Sequence, residues 1–250
     1  GLGDVYKRQT LEDIVKIKIL GMLIIFILVN FGFSGDVKGK IKFDGKAPKM
    51  KPLRMDADPV CVANSDIKPR KEWLVLDDNN GVKNVLVYVK ESKSGSLSKN
   101  YDTPKEAAVI DQKGCVYVPH VLGVMVGQQL DILNSDGTLH NIHALPKVNK
   151  EFNKAMPRSK KQMSVKFDKV EAPFKIKCDV HPWMGAFLGV FDHPYFAVTD
   201  DSGSYTISGL APGKYVLEAW HEKLGLQTVD LSVDESGATQ NFTFTKPKKK

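Results

Sequence analysis

Between Phe174 and Val190 the chain reads FKIKCDVHPWMGAFLGV, which sets Cys178, His181 and Met184 at intervals of three between two strand-like runs. A thiolate, an imidazole and a thioether are soft donors that one short turn can aim inward. With a second imidazole the set suits copper cycling between its two oxidation states. That imidazole is expected from His140 in LNSDGTLHN (Leu133–Asn141), where a strand end followed by a turn can return the ring to the same end of a sandwich. Other readings stay open: Cys178 as a buried thiol, Met184 as a core filler and His181 as a turn residue, or a closed zinc site built from Cys178 and the two histidines. The thioether speaks against zinc, which gains little from methionine.

Such donors need a rigid frame. Helical periodicity is nearly absent after residue 35, and alternating or β-branched runs recur at Val37–Phe43, Trp73–Leu76, Val85–Val89, Cys115–Val118, Leu130–Leu133, Ser164–Phe167, Phe174–Cys178 and Phe187–Phe191. This is an all-β pattern, punctuated by turns such as Asp44-Gly45, Asn80-Gly81 and Asp136-Gly137, and a sandwich is its expected closure. A second series follows His193-Pro194, at Phe196–Val198, Tyr205–Ile207, Lys214–Trp220, Leu226–Val233 and Gln240–Thr245, and needs its own core. Lys49–Lys71 has no clean period and contains Pro52, Pro59 and Pro69, so it is expected to be a long connection or insertion.

NSDGTLHN followed by CDVHPWM resembles the cupredoxin family, the plastocyanin-like blue copper proteins, and the gap between His181 and Met184 is similar to that of the amicyanin branch. The resemblance implies a Greek-key β-sandwich over residues 35–193 holding one type 1 copper, with His140 and His181 as imidazole ligands, Cys178 as the thiolate and Met184 as the weak axial ligand. It implies that Asn141 braces the ligand loop. The implied function is one-electron transfer to and from a redox protein partner (a cytochrome, oxidase or dehydrogenase), not enzymatic catalysis. Pro182 and Trp183 are a candidate contact patch around the outer edge of His181, the expected electron exit. The Lys49–Lys71 insertion and the basic stretch after His140 depart from a small cupredoxin. TDDSGSYTISGLAPGKYVLEAWHE (Thr199–Glu222) resembles the carboxypeptidase regulatory-like, transthyretin-like family, which implies a second β-sandwich over residues 194–250 with a structural or interaction role.

Three cysteines make an odd count, which in an oxidising compartment suggests one disulfide and one reserved thiol. If Cys178 is the ligand that the resemblance implies, Cys61 and Cys115 are left to pair. Closing a loop of about 55 residues stabilises by roughly 4 kcal/mol in the chain-entropy model. No other histidine completes a second ligand set: His120, His143, His193 and His221 are expected in structural roles, and a copper oxidase or nitrite reductase centre is not supported.

Residues 1–34 read as a signal peptide or N-terminal anchor: a 15-residue apolar run, Ile19–Phe33, follows Lys16 and Lys18, and residues 1–9 (GLGDVYKRQ) carry no structural meaning. Export to the bacterial periplasm or the outer cell surface follows, with membrane contact only through that segment if it is retained. The formal net charge of +7 is partly the tail Lys246, Lys248, Lys249 and Lys250 and partly Lys147–Lys166, expected as a solvated loop or a docking surface for an acidic partner. Nucleic acid is excluded by the lack of stacking aromatics among those charges. Haem-attachment, phosphate-loop and nucleophile-elbow motifs are absent. Two rivals to the electron carrier remain, a copper-delivery protein and a metal-free surface interaction module.

Overall fold

Apolar residues on alternate positions give each strand one face to bury, as in LDILN, where Leu130, Ile132 and Asn134 point inward, and FTFT, where Phe242 and Phe244 do. The computed structural model describes residues 34–63, 69–95, 97 and 100–247. The expected leader, apart from Ser34, and the last three lysines lie outside the described residues. Among the described residues no helix is long and apolar enough to cross a membrane. The chain is nearly all β.

Two apolar cores organise it. One is enclosed by a sheet ordered β13 (Ser204–Leu210), β1 (Gly35–Asp44), β16 (Ala238–Thr239), with β17 (Phe242–Thr245) also on β1, and a sheet ordered β12 (Phe196–Val198), β2 (Leu86–Ser92), β14 (Gly213–His221), β15 (Gly225–Val233). Val37, Ile41, Val87, Tyr215, Leu217 and Phe244 fill the space between them. The other is enclosed by a sheet ordered β5 (Val121–Met125), β11 (Gly185–Phe191), β10 (Glu171–Lys177), β7 (His140–Leu145), β8 (Phe152–Met156), and a sheet ordered β4 (Val116–Val118), β3 (Ala108–Lys113), β6 (Leu130–Asn134), β9 (Gln162–Val165). Its core includes Ile110, Leu130, Ile132, Ile142, Ile176 and Leu188.

The expected division at residues 193/194 does not follow these cores. β1 pairs with β13, β16 and β17, and β2 pairs with β12 and β14, so segments on both sides of the sandwich that carries His140 and Cys178 build the other one. The reason is register: Val37 pairs with Ile207 and Ile41 with Phe242, and both bury fully in the core that those strands share. A smaller cluster of Leu86, Tyr88, Val121 and Phe191 joins the two sandwiches. Glycine permits the close approach there, since a Cβ on Gly123 would lie 2.6 Å from the Phe196 ring and one on Gly189 would lie 2.8 Å from Leu86.

Local expectations fail in two places. Trp73–Leu76 is not a strand, and only Leu76 forms an isolated bridge, to Val82. The basic stretch Lys147–Lys166 is not a loop throughout, because β8 and β9 run through it with Met156 buried and Lys154 exposed. Among its described residues, the Lys49–Lys71 connection carries one short helix, α1 (Pro59–Ala63). Asp58 caps it by accepting from the Val60 and Cys61 backbone N–H groups at 2.8 and 3.4 Å, with proline at the first helical position. Cys61, the helix's buried residue, is bonded to Cys115, 54 positions away.

Candidate metal centre

β7 and β10 pair side by side in antiparallel register, with Lys177 opposite His143. This places the start of β7 beside the end of β10, and therefore His140 beside the loop that begins at Cys178. The loop is closed by its own backbone: Met184 N–H donates to His181 C=O at 2.9 Å, and Cys178 N–H donates to Met184 C=O at 3.3 Å. One donor atom each from His140, Cys178 and His181 lies within 4.8 Å of the others. Nδ1 of His140 and Nδ1 of His181 are 2.8 Å apart, and Cys178 Sγ is 3.9 Å from the latter. All three residues are buried, and Met184 is buried in the same core as Cys178.

The outward nitrogens fix what the inward ones present. His140 Nε2 is 2.9 Å from the Asp136 carboxylate and His181 Nε2 is 2.9 Å from that of Asp58. An ionised carboxylate only accepts, so each Nε2 carries a hydrogen and each Nδ1 is left with a lone pair. Two lone pairs facing each other at 2.8 Å beside a sulfur require a cation between them, either a proton or a metal. Burial resists charge on His140, but Asp136 and Cys178 outweigh it and raise its pKa to about 9. Burial and the neighbouring His140 hold His181 below the usual imidazole range despite Asp58. Burial alone would push the Cys178 thiol up, yet hydrogen bonds with His140, Asn141 and the loop backbone bring it down. The arrangement thus eases loss of the thiol proton and sets a single cation between the two imidazoles.

Bracing comes from Asn141. Its Oδ1 accepts from Asp179 N–H at 2.7 Å, Val180 N–H at 3.2 Å and the Cys178 thiol at 3.1 Å, while its Nδ2 donates to Asn153 at 2.7 Å. Asp136 is itself fixed, accepting from Gly114 N–H and Cys115 N–H at 2.8 Å each. Burial works against its carboxylate, and these donors with His140 keep its pKa below the usual value.

Pro182 is exposed and Trp183 is half-buried, with its indole N–H donating to Cys115 C=O at 3.0 Å and its ring centroid 4.9 Å from that of His181. The outer edge of His181, expected as an open electron exit, is covered. The residue is 2% exposed, with Asp58 on Nε2 and Cys61 Sγ 3.8 Å away. The disulfide draws the Lys49–Lys71 insertion across that edge. Sequence reasoning missed both carboxylates. Asp136 stood inside the NSDGTLHN run but read as turn chemistry, and Asp58 gave no local signal.

The remaining histidines lie elsewhere. His143 is held between Asp179 and Glu151 at 2.8 and 2.9 Å, His120 between Gly185 C=O and Glu222 at 3.0 and 2.7 Å, and His193 against Val89 C=O at 2.9 Å. His221 is buried in the other sandwich, where its Nδ1 accepts from Lys223 N–H and Leu224 N–H.

No family model matches the chain, and no curated protein matches it. Among solved structures it is similar to a Cu-containing nitrite reductase from Thermus scotoductus SA-01, with TM-score 0.33 and 16% identity over 39% of this chain and 25% of that one. It is also similar to a purple cupredoxin from Nitrosopumilus maritimus, with TM-score 0.28 and 24% identity over 33% of this chain and 98% of that one. A Cu(I) methionine-to-alanine mutant of amicyanin gives TM-score 0.30 and 20% identity over 42% of this chain and 97% of that one. This chain thus spans about a quarter of the reductase's length.

Proposed function

We propose that the ligand-bearing sandwich is cupredoxin-like and holds one type 1 copper ion through His140, His181 and Cys178, with Met184 as the weak axial ligand, and that the protein carries single electrons rather than catalysing a reaction. The observation that carries this reading is the pair of Nδ1 atoms 2.8 Å apart beside the buried Cys178 sulfur, each imidazole held by a carboxylate on its far side. Nitrogen and sulfur donors of this softness select copper over harder ions. Copper bound there supplies one-electron chemistry between Cu(II) and Cu(I).

The chain's own residues keep the donors still. Asn141 fixes the Cys178–Val180 backbone, the Met184–His181 hydrogen bond closes the loop, and burial of all three donors keeps water out. A site held in this way suits repeated electron exchange better than release of the ion, which supports a carrier over a delivery protein. The disulfide between Cys61 and Cys115 fits an exported protein of the periplasm or cell surface. The partner in this reading is another redox protein, and the transthyretin-like sandwich is a structural or interaction module.

The test is an absorption and paramagnetic resonance spectrum of copper-loaded protein beside its Cys178→Ser variant. An intense visible thiolate-to-copper band that disappears in the variant is expected. A colourless wild-type protein whose Cys178 is freely alkylated overturns the reading.

A further inference from the structure

We infer that Asp58 is a positioning residue for His181 and that the Cys61–Cys115 disulfide is the latch that keeps it there; this rests on the copper reading above. The segment around Asp58 belongs to neither sandwich's sheets. It reaches the site from 123 positions away in sequence, and Met55 and Cys61 are its buried anchors. Its two carboxylate oxygens divide the work. Oδ1 accepts from the first N–H groups of α1, and Oδ2 accepts from Thr138 Oγ1 at 2.8 Å and from His181 Nε2 at 2.9 Å. The covalent bond to Cys115 sits on the same side, since Cys61 Sγ is 3.8 Å from His181 Nε2 and Trp183, whose ring is tilted against that of His181, donates to Cys115 C=O. Helix, disulfide and carboxylate form one cap over the nitrogen that points away from the donors.

Two effects follow from general chemistry. A carboxylate accepting from Nε2–H selects the tautomer that leaves Nδ1 free to bind a metal and makes that nitrogen a stronger donor. A stronger donor favours Cu(II) more than Cu(I), so Asp58 holds the reduction potential down. A cap tied by a disulfide also makes the protection of His181 depend on that bond. A dithiol that reduced it to two thiols, itself oxidised to a disulfide, would loosen the site without touching any ligand.

The experiment uses the full chain in four forms: wild type, Asp58→Asn, Asp58→Ala, and Cys61→Ser with Cys115→Ser. In copper-loaded protein, Asp58→Ala is expected to bind Cu(II) about 10–100-fold more weakly, to lose less affinity for Cu(I), and to show a raised reduction potential. Asp58→Asn keeps the shape and the helix cap but not the charge, so its potential should also rise while its folding stays close to wild type. In metal-free protein, acylation of His181 by diethyl pyrocarbonate, read by mass spectrometry, should be slow in wild type and faster in Asp58→Ala and in the double serine variant. Unchanged Cu(II) affinity and potential in both Asp58 variants overturn the positioning role. Equal His181 acylation in wild type and the double serine variant overturns the latch. If Asp58→Ala does not fold, Asp58→Asn decides. Absence of the thiolate band in wild type would defeat the copper reading itself, while the acylation comparison still tests the cap.

Discussion

Replacing Asn141 by alanine removes an acceptor that three donors of the ligand loop share. Its Oδ1 takes the Asp179 and Val180 N–H groups and the Cys178 thiol, at 2.7, 3.2 and 3.1 Å, and the residue is 6% exposed. Each hydrogen bond of this kind contributes about 0.5–1.5 kcal/mol, and water can reach the exposed Asp179 and Val180 only in part, so the loss should be about 2–3 kcal/mol. Its Nδ2 partner Asn153 is the comparison: that side chain is exposed and donates to Asp179 Oδ2 at 2.7 Å, so Asn153→Ala should cost only about 0.5–1 kcal/mol. Urea denaturation of both variants without metal measures the difference, and copper competition should show a loss of about 10–100-fold for Asn141→Ala. If the two variants lose equal stability, Asn141 does not brace the loop.

Burial pushes the His221 pKa down to about 4, so the folded protein refuses a proton that the unfolded chain accepts near pH 6.5. Stability contributed by neutral His221 is complete above that value, falls as pH drops from about 6.5 towards 4, and is lost by about 3 kcal/mol below it. Denaturation at pH 7.5 and pH 4.5 should therefore show a smaller acid loss for His221→Asn than for wild type, and equal losses would refute the assignment. At the seam between the sandwiches, Gly189→Ala sets a Cβ 2.8 Å from Leu86 and 2.9 Å from the Phe191 ring and should cost about 1–3 kcal/mol. Adding Leu86→Val should cost less than the sum of the two changes, a coupling read by a double-mutant cycle.

Chemistry was legible wherever it was local. Cys178, His181 and Met184 share one turn whose spacing pointed to them, while the role of Asn141, beside His140, came from the family resemblance. Alternation exposed the strands with one apolar face, such as β1 and β17, but not β7 or β8, whose polar residues His140, Asn141 and Lys154 hide the period. Trp73–Leu76 misled for the opposite reason, since its apolar side chains fill a core without joining a sheet. Asp58 was invisible because nothing within its own segment refers to His181, and only the disulfide and tertiary packing bring the two together. The division at 193/194 failed likewise: local periods mark strands, and their partners are chosen by register between segments more than a hundred residues apart.

Because β1 and β2 find their partners only among strands that follow residue 195, the order of synthesis bears on assembly. The sandwich that carries His140 and Cys178 is complete on the ribosome while its neighbour still waits for six of its eight strands, so it can mature as a unit first. Until β13 to β17 emerge, the apolar side of β1 stays open to mispairing, a hazard of unpaired edges. A nascent chain stalled just past Phe191 would therefore be folded at one end and adhesive at the other.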